Sequence, residues 1–245
     1  EYAKAAFSIP RKKLHRFCLI DKRQNTMVTY KSISCFSSLM KKCLFCNFVK
    51  IKEDILWDSG NFYVKVGVGI LAPGHVMLLP KMHLDCFAQL PKQLRKEFLS
   101  IKDKLFNKIA SAFNEPMVYE HGVYGQSIKH AHLHFLPSSN SHYNLENIKE
   151  NIFKSLKSTR IENMFQITDV FRNESSYFYL EQNGRKWVIH TKDQPEGKFI
   201  FRKEFARLTG LYGLEAWQNM PESEKQRNKL WVDETKKIFK AQNEE

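Results

Sequence analysis

The chain has 245 residues, 42% hydrophobic and 13% aromatic, with 10 Gly and 8 Pro. That is enough apolar material for a packed core, and it excludes collagen, low complexity and wholesale disorder. No apolar run approaches the roughly 18 residues of a membrane span, and five cysteines are too few and too odd in number for a disulfide scaffold, so a cytoplasmic, reducing setting is expected.

The net charge is +13, and it is uneven. Residues 1–42 hold ten Lys or Arg against Glu1 and Asp21, a local +8. This stretch reads as a basic N-terminal tail. An organelle-targeting segment, a nucleic-acid-binding arm and a plain solvated tail all fit such a composition. It has no clean apolar core of the kind a secretory signal needs.

Order begins near Lys42. Ile55–Asp58 and Asn61–Val68 read as strands split by Ser59-Gly60, and His75–Leu79 as a short strand after the Ala72-Pro73-Gly74 turn. Leu90, Leu94, Phe98, Ile101, Leu105, Ile109 and Ala112 recur every three or four residues, one apolar stripe of a long helix with Pro91 near its start. Met117–Tyr119 restarts a strand, Gly122–Lys129 is a loop, and His130–Leu136 is a strand stopped by Pro137. A boundary falls after residue 139. Beyond it, Leu145, Ile148, Ile152 and Leu156 mark a helix and Phe165–Phe171 a strand. Tyr177–Glu181 and Lys186–Thr191 flank Asn183-Gly184, a strong hairpin signal. Lys203–Leu208 reads as a short helix, and Pro221 opens a last one to about Gln242. The expected organisation is a tail over 1–42, a domain over 43–139 and an α/β extension over 140–245.

His130-Ala131-His132-Leu133-His134-Phe135-Leu136 carries the most chemistry. Alternate residues of a strand face opposite ways, so the three histidines share one face and Ala131, Leu133 and Phe135 the other. Three imidazoles are an unsuitable core. At cellular pH they are bases, nucleophiles or metal ligands. Gly125-Gln126-Ser127, just upstream, offers a flexible backbone, an amide and a hydroxyl as donors for phosphate oxygens.

The stretch from Gly125 to Phe135 resembles the signature of the histidine triad (HIT) superfamily, and Pro73–His83 resembles the strand and Pro-Lys-x-His element upstream of it. The likeness spans about residues 43–139. It implies an α+β fold, an antiparallel sheet of about five strands with a long helix packed on it. It also implies a nucleotide hydrolase acting at an α-phosphate, on phosphoramidates or dinucleoside polyphosphates. His132 would attack phosphorus, giving a nucleotidyl-histidine that water then releases. Gln126, Ser127 and His134 match the donors to the phosphoryl oxygens, with His130 the remaining catalytic histidine. His75 and Gly125 match substrate-side positions, His75 either lining the site or buttressing it. Pairing of two copies is also a habit of that family. By departure, Val66–Leu71 has no carboxylate where many of its hydrolases carry a ribose-binding acid. Glu120-His121 stands where an Asn-rich stretch is usual, and either recognises substrate or caps the strand.

Cys43-Leu44-Phe45-Cys46 is a CxxC pair, open to zinc, redox or buried-thiol readings, although no βαβ context favours redox. The order Cys-x2-Cys…His83…His130 resembles the zinc-bearing branch of the superfamily. That resemblance implies a structural Zn2+ held by Cys43, Cys46, His83 and His130. Two other functions remain open: aprataxin-like processing of nucleic-acid ends, which would use the positive charge but lacks the appended zinc finger, and a non-catalytic zinc-stapled binding module.

Overall fold

The structure is a computed structural model that describes residues 43–140, 143–144, 148–192, 194 and 200–241. The basic stretch 1–42 lies outside the described residues. Beyond Cys43 the chain forms one compact unit, Leu44–Glu245.

After a short helix α1 (Phe48–Ile51) come β1 (Ile55–Ser59), β2 (Phe62–Val66) and β3 (Val76–Pro80). The long helix α2 (Arg95–Ala112) leads to β4 (Pro116–Glu120) and β5 (Leu133–Pro137). Two-residue strands β6 (Ser139–Asn140) and β7 (Tyr143–Asn144) pair with each other. The remainder comprises α3 (Ile148–Ile152), β8 (Ser158–Ile161), α4 (Ile167–Glu174), β9 (Phe178–Gln182), β10 (Arg185–Ile189), α5 (Ile200–Thr209) and α6 (Glu222–Ala241).

The expected five-strand sheet is present as β1 to β5, but it does not end there. Eight strands form one antiparallel sheet in the order β1-β2-β3-β5-β4-β9-β10-β8. The extension enters it through β9, where Val118, Tyr119 and Glu120 of β4 face Glu181, Leu180 and Tyr179. The chain thus satisfies the outer edge of β4 by itself.

Strand alternation sorts the core into two layers. Val118, Leu133, Phe135, Tyr177, Tyr179 and Val188 pack with Phe98, Ile101, Leu105 and Ile109 of α2. Their neighbours Met117, Tyr119, Leu136, Phe178, Leu180 and Ile189 point the other way, onto Ile148, Phe201, Phe205 and Trp231 of the extension. The apolar stripe is therefore the face α2 buries. Full burial of a ring such as Phe98 stabilises by about 2–3 kcal/mol. Lys102 interrupts the stripe, and its ammonium lies 2.8 Å from the Glu181 carboxylate of β9.

The hairpin forms as the sequence indicates, with Asn183 and Gly184 both left-handed at φ 52° and 67°. Three readings change. Phe165–Phe171 is helical, not a strand. Asn163 accepts the Phe165 N–H and Gln166 accepts the Asn163 N–H, a capping box that starts the turn leading into α4. Strand β8 had no sequence counterpart. The histidine strand begins only at Leu133, because the Ala131 N–H donates to the Leu84 carbonyl (2.6 Å) rather than to β3. Among the described residues, no helix is long and apolar enough to cross a membrane.

Candidate active site and metal centre

Lys65, Met77, His134 and Tyr119 lie side by side in register across β2, β3, β5 and β4. In-register neighbours share a sheet face, and all four line a cavity of about 210 Å³. Parity brings three more histidines to it: His75 two residues before Met77, His121 two after Tyr119, and His132 two before His134. Gly125 and Ser127 join from the loop before the histidines, and Arg202 and Trp217 from the extension.

Hydrogen bonds define the proton positions of three rings. The Leu71 N–H donates to His75 Nδ1 (3.1 Å), so the His75 proton sits on Nε2. That N–H donates to His134 Nδ1 at 3.0 Å. His134 therefore carries its own proton on Nε2, as a donor. His132 Nδ1–H donates to the His130 carbonyl at 2.6 Å, which leaves Nε2 with a lone pair. Burial holds these rings neutral. It pulls His132 and His75 down to about 3, the latter helped by the Arg202 charge, and His134 well below its ordinary value. His121 is likewise pulled by burial to about 4, and it donates from Nδ1 to the Tyr124 carbonyl.

The loop before the triad is strained. Val123 adopts φ 81° between Gly122 (52°) and Gly125 (74°), a region a β-branched residue rarely enters. A bridge to Tyr177 and the Tyr177 N–H to Gly122 carbonyl bond hold it there. Ser127 emerges exposed at the rim. Gln126 is buried instead, and its amide donates to the Asp85 carbonyl at 2.8 Å. It is not among the residues lining the cavity.

His130 leaves the cavity to its neighbours. Fully buried, it donates from Nε2 to the Pro80 carbonyl (2.9 Å) and turns Nδ1 toward Cys46 Sγ at 3.5 Å. His83 Nδ1 lies 3.3 Å from the same sulfur. The ligand atoms of Cys43, Cys46, His83 and His130 all lie within 4.8 Å of one another. A tetrahedral zinc with ordinary bond lengths separates its sulfur and nitrogen ligands by about 3.6 Å. The two distances to Cys46 Sγ fit that geometry, and the carbonyl on His130 fixes its tautomer as metal-bound imidazoles require.

The sequence reading named His75, Gly125, Ser127, His132 and His134, which converge here, and the four candidate metal ligands, which also converge. It left His121 open and did not place Lys65, Tyr119, Arg202 or Trp217 at this site. Parity along Tyr119-Glu120-His121 was the available signal for the first and third of that run. Glu120, between them, points into the opposite layer, where it accepts from the Phe87 N–H (2.7 Å) and the Tyr177 hydroxyl (2.6 Å).

The family model described as HIT domain matches residues 50–141. Among solved structures, the chain is similar to a HIT family hydrolase from Clostridium thermocellum (23% identity, 43% of this chain and 98% of that one, TM-score 0.35). It is also similar to a zinc-bound histidine triad family protein from Mycobacterium smegmatis (17%, 42% and 78%, TM-score 0.35). A third is a hypothetical protein from Leishmania major (17%, 55% and 95%, TM-score 0.39). No curated protein matches the chain.

Proposed function

We propose that the HIT domain over residues 50–141 makes this chain a nucleotide hydrolase, with His132 as the nucleophile at the α-phosphate of a phosphoramidate or dinucleoside polyphosphate. The observation that carries the reading is the bond from His132 Nδ1 to the His130 carbonyl. It leaves a neutral ring with its lone pair on Nε2, in a residue that lines the cavity. Nε2 would form a P–N bond as the bond from phosphorus to the leaving group breaks. Water would then attack phosphorus and break the P–N bond. One water is consumed overall, its hydrogens ending on the leaving group and the nucleoside monophosphate.

The His134 Nε2–H is a fixed donor beside the nucleophile, with ring centroids 4.9 Å apart, and suits the charge that grows on the phosphoryl oxygens. His75 orients His134 and so acts as a positioning residue. Ser127 at the rim is a second candidate donor. Gln126, tied to Asp85, would serve by holding the loop rather than the phosphate. Zinc would be held by Cys43, Cys46, His83 and His130, and when bound it would supply structural cross-linking. Through His130, these residues hold the carbonyl that sets the His132 tautomer.

The test is turnover of adenosine 5′-phosphoramidate and diadenosine polyphosphates, with mass spectrometry of acid-quenched protein. Wild type should release nucleoside monophosphate and show a nucleotidyl adduct. His132→Ala should lose at least 10³-fold in kcat, in the range of removing a covalent nucleophile. Turnover that survives His132→Ala sinks the assignment.

A further inference from the structure

Arg202 is an element of the cavity that no sequence pattern near the histidines announces. It rises from α5, in the last fifth of the chain, and two backbone carbonyls clamp it. Nε donates to Leu214 and Nη1 to Gly69 (2.5 Å). A guanidinium held at two corners is fixed in place. Its third corner, Nη2, is buried and has no hydrogen-bond partner among the described residues. A buried charged donor without an acceptor is costly. Gly69 is part of the same wall, and a Cβ there would stand 3.3 Å from Nη2 and 2.5 Å from the Trp217 Cβ. The absence of a side chain at Gly69 is therefore what lets Arg202 and Trp217 close in on the cavity.

The charge lining the cavity is mostly positive. Lys50, Lys65 and Arg202 line the cavity, with Asp54 the only lining carboxylate among the described residues. Asp54 is itself engaged, 3.1 Å from Lys236 and 3.9 Å from Lys65. Burial lowers Arg202 only to about 10, so it stays charged at neutral pH. A single α-phosphate beside His132 and His134 leaves this cationic wall unanswered.

We infer that the clamped Arg202 guanidinium holds a second phosphate of the nucleotide, distinct from the one His132 attacks, so that the preferred ligands are nucleotides bearing two phosphate groups. The inference rests on the nucleotide reading of the site. Two sources share this chemistry: a phosphate further along the 5′ chain, and one on the ribose 3′ position.

The experiment measures equilibrium binding by calorimetry in the full chain, in a His132→Asn background that prevents turnover. AMP, GMP, CMP and UMP identify the best base. That nucleoside is then offered as its 5′-diphosphate and its 3′,5′-bisphosphate. At least one of the two should bind tenfold or more tighter than the monophosphate, and which one does so identifies the source. Arg202→Gln should abolish the gain while leaving monophosphate affinity within about threefold. A merely structural role for Arg202 would weaken all ligands alike and would overturn the proposal, as would a gain that survives the substitution. If Arg202→Gln fails to fold, Arg202→Lys decides: its single ammonium lacks the fork, so the gain should fall at least threefold, and an unchanged gain is fatal. Equal binding of mono- and diphosphates to the parent overturns this inference alone. No binding of any of the four monophosphates overturns the nucleotide reading with it.

Discussion

Glu120 offers a test of the architecture that is independent of catalysis. It lies at the end of β4, fully buried, on the α2 side of the sheet. One oxygen accepts from the Phe87 backbone and the other from the Tyr177 hydroxyl, so it ties the loop after His83 to the segment entering β9. Burial raises its pKa from the ordinary 4.5 to about 7, outweighing the two hydrogen bonds that favour the anion. Cys86 and Tyr177 are the titratable groups packed beside it, and both are pushed upward themselves, so both stay neutral. Between pH 4.5 and 7 the native state keeps a proton that the unfolded chain has released. Raising the pH through this window therefore favours unfolding. At 1.36 kcal/mol per pH unit, the accumulated cost above pH 7 is at most about 3 kcal/mol. Glu120→Gln removes it, because the amide keeps one oxygen for the Phe87 N–H and offers its NH2 to the Tyr177 oxygen. Urea unfolding of both proteins at pH 5, 6, 7 and 8 measures the effect. The two should be nearly equal at pH 5, and the variant should gain about 2–3 kcal/mol on the wild type by pH 8. All other residues are the same in both proteins and cancel in the difference. A difference that stays constant with pH refutes the argument.

Two further predictions concern the metal centre and the loop. Purified protein should contain one zinc per chain by elemental analysis, and Cys46→Ser should lose it. Chelation should lower Tm by about 5–10 °C, from roughly 2.7 kcal/mol of linkage at a hundredfold excess over Kd and 2–4 °C per kcal/mol in a chain this size; no metal and no shift would remove the centre. Gly122 and Gly184 are both left-handed, but a Cβ at Gly122 would meet the Tyr177 ring at 2.5 Å whereas at Gly184 it meets nothing within 4 Å. Gly184→Ala should cost about 1–2 kcal/mol, the backbone penalty alone, and Gly122→Ala at least twice that by denaturant unfolding; equal costs would contradict the described packing.

What the sequence disclosed follows from the range over which each signal acts. The stripe from Phe98 to Ile109, the Asn183-Gly184 turn and the alternation of His132 and His134 are local periodicities, and one face or one turn decides them. The candidate metal set joined residues far apart in sequence only through the resemblance to the zinc-bearing branch, since the CxxC pair by itself was open to zinc, redox and buried-thiol readings. The misread segment Phe165–Phe171 shows the opposite case. Its β-branched and aromatic content suits a strand, but the Asn163 and Gln166 side chains satisfy the first amides of a helix, and capping overrides propensity. That signal was present at the spacing of a capping box and went unread.

Arg202, Lys65 and Trp217 had no such signal to offer. An arginine in an amphipathic helix or a lysine in a strand is unremarkable until the sheet is assembled. Pairing of β9 with β4 is the step that changes this. It carries the last third of the chain onto the triad's side of the sheet, so Phe201 packs on Tyr119 with ring centroids 4.3 Å apart, and one residue later Arg202 reaches the cavity. The histidines lie within a contiguous sequence motif. The cationic wall is a consequence of topology, assembled from β2, the turn after it, and a helix more than 130 residues away. The proposed chemistry of the bond-breaking step therefore rests on the motif, while the proposed selection among phosphate-bearing ligands rests on the fold as a whole.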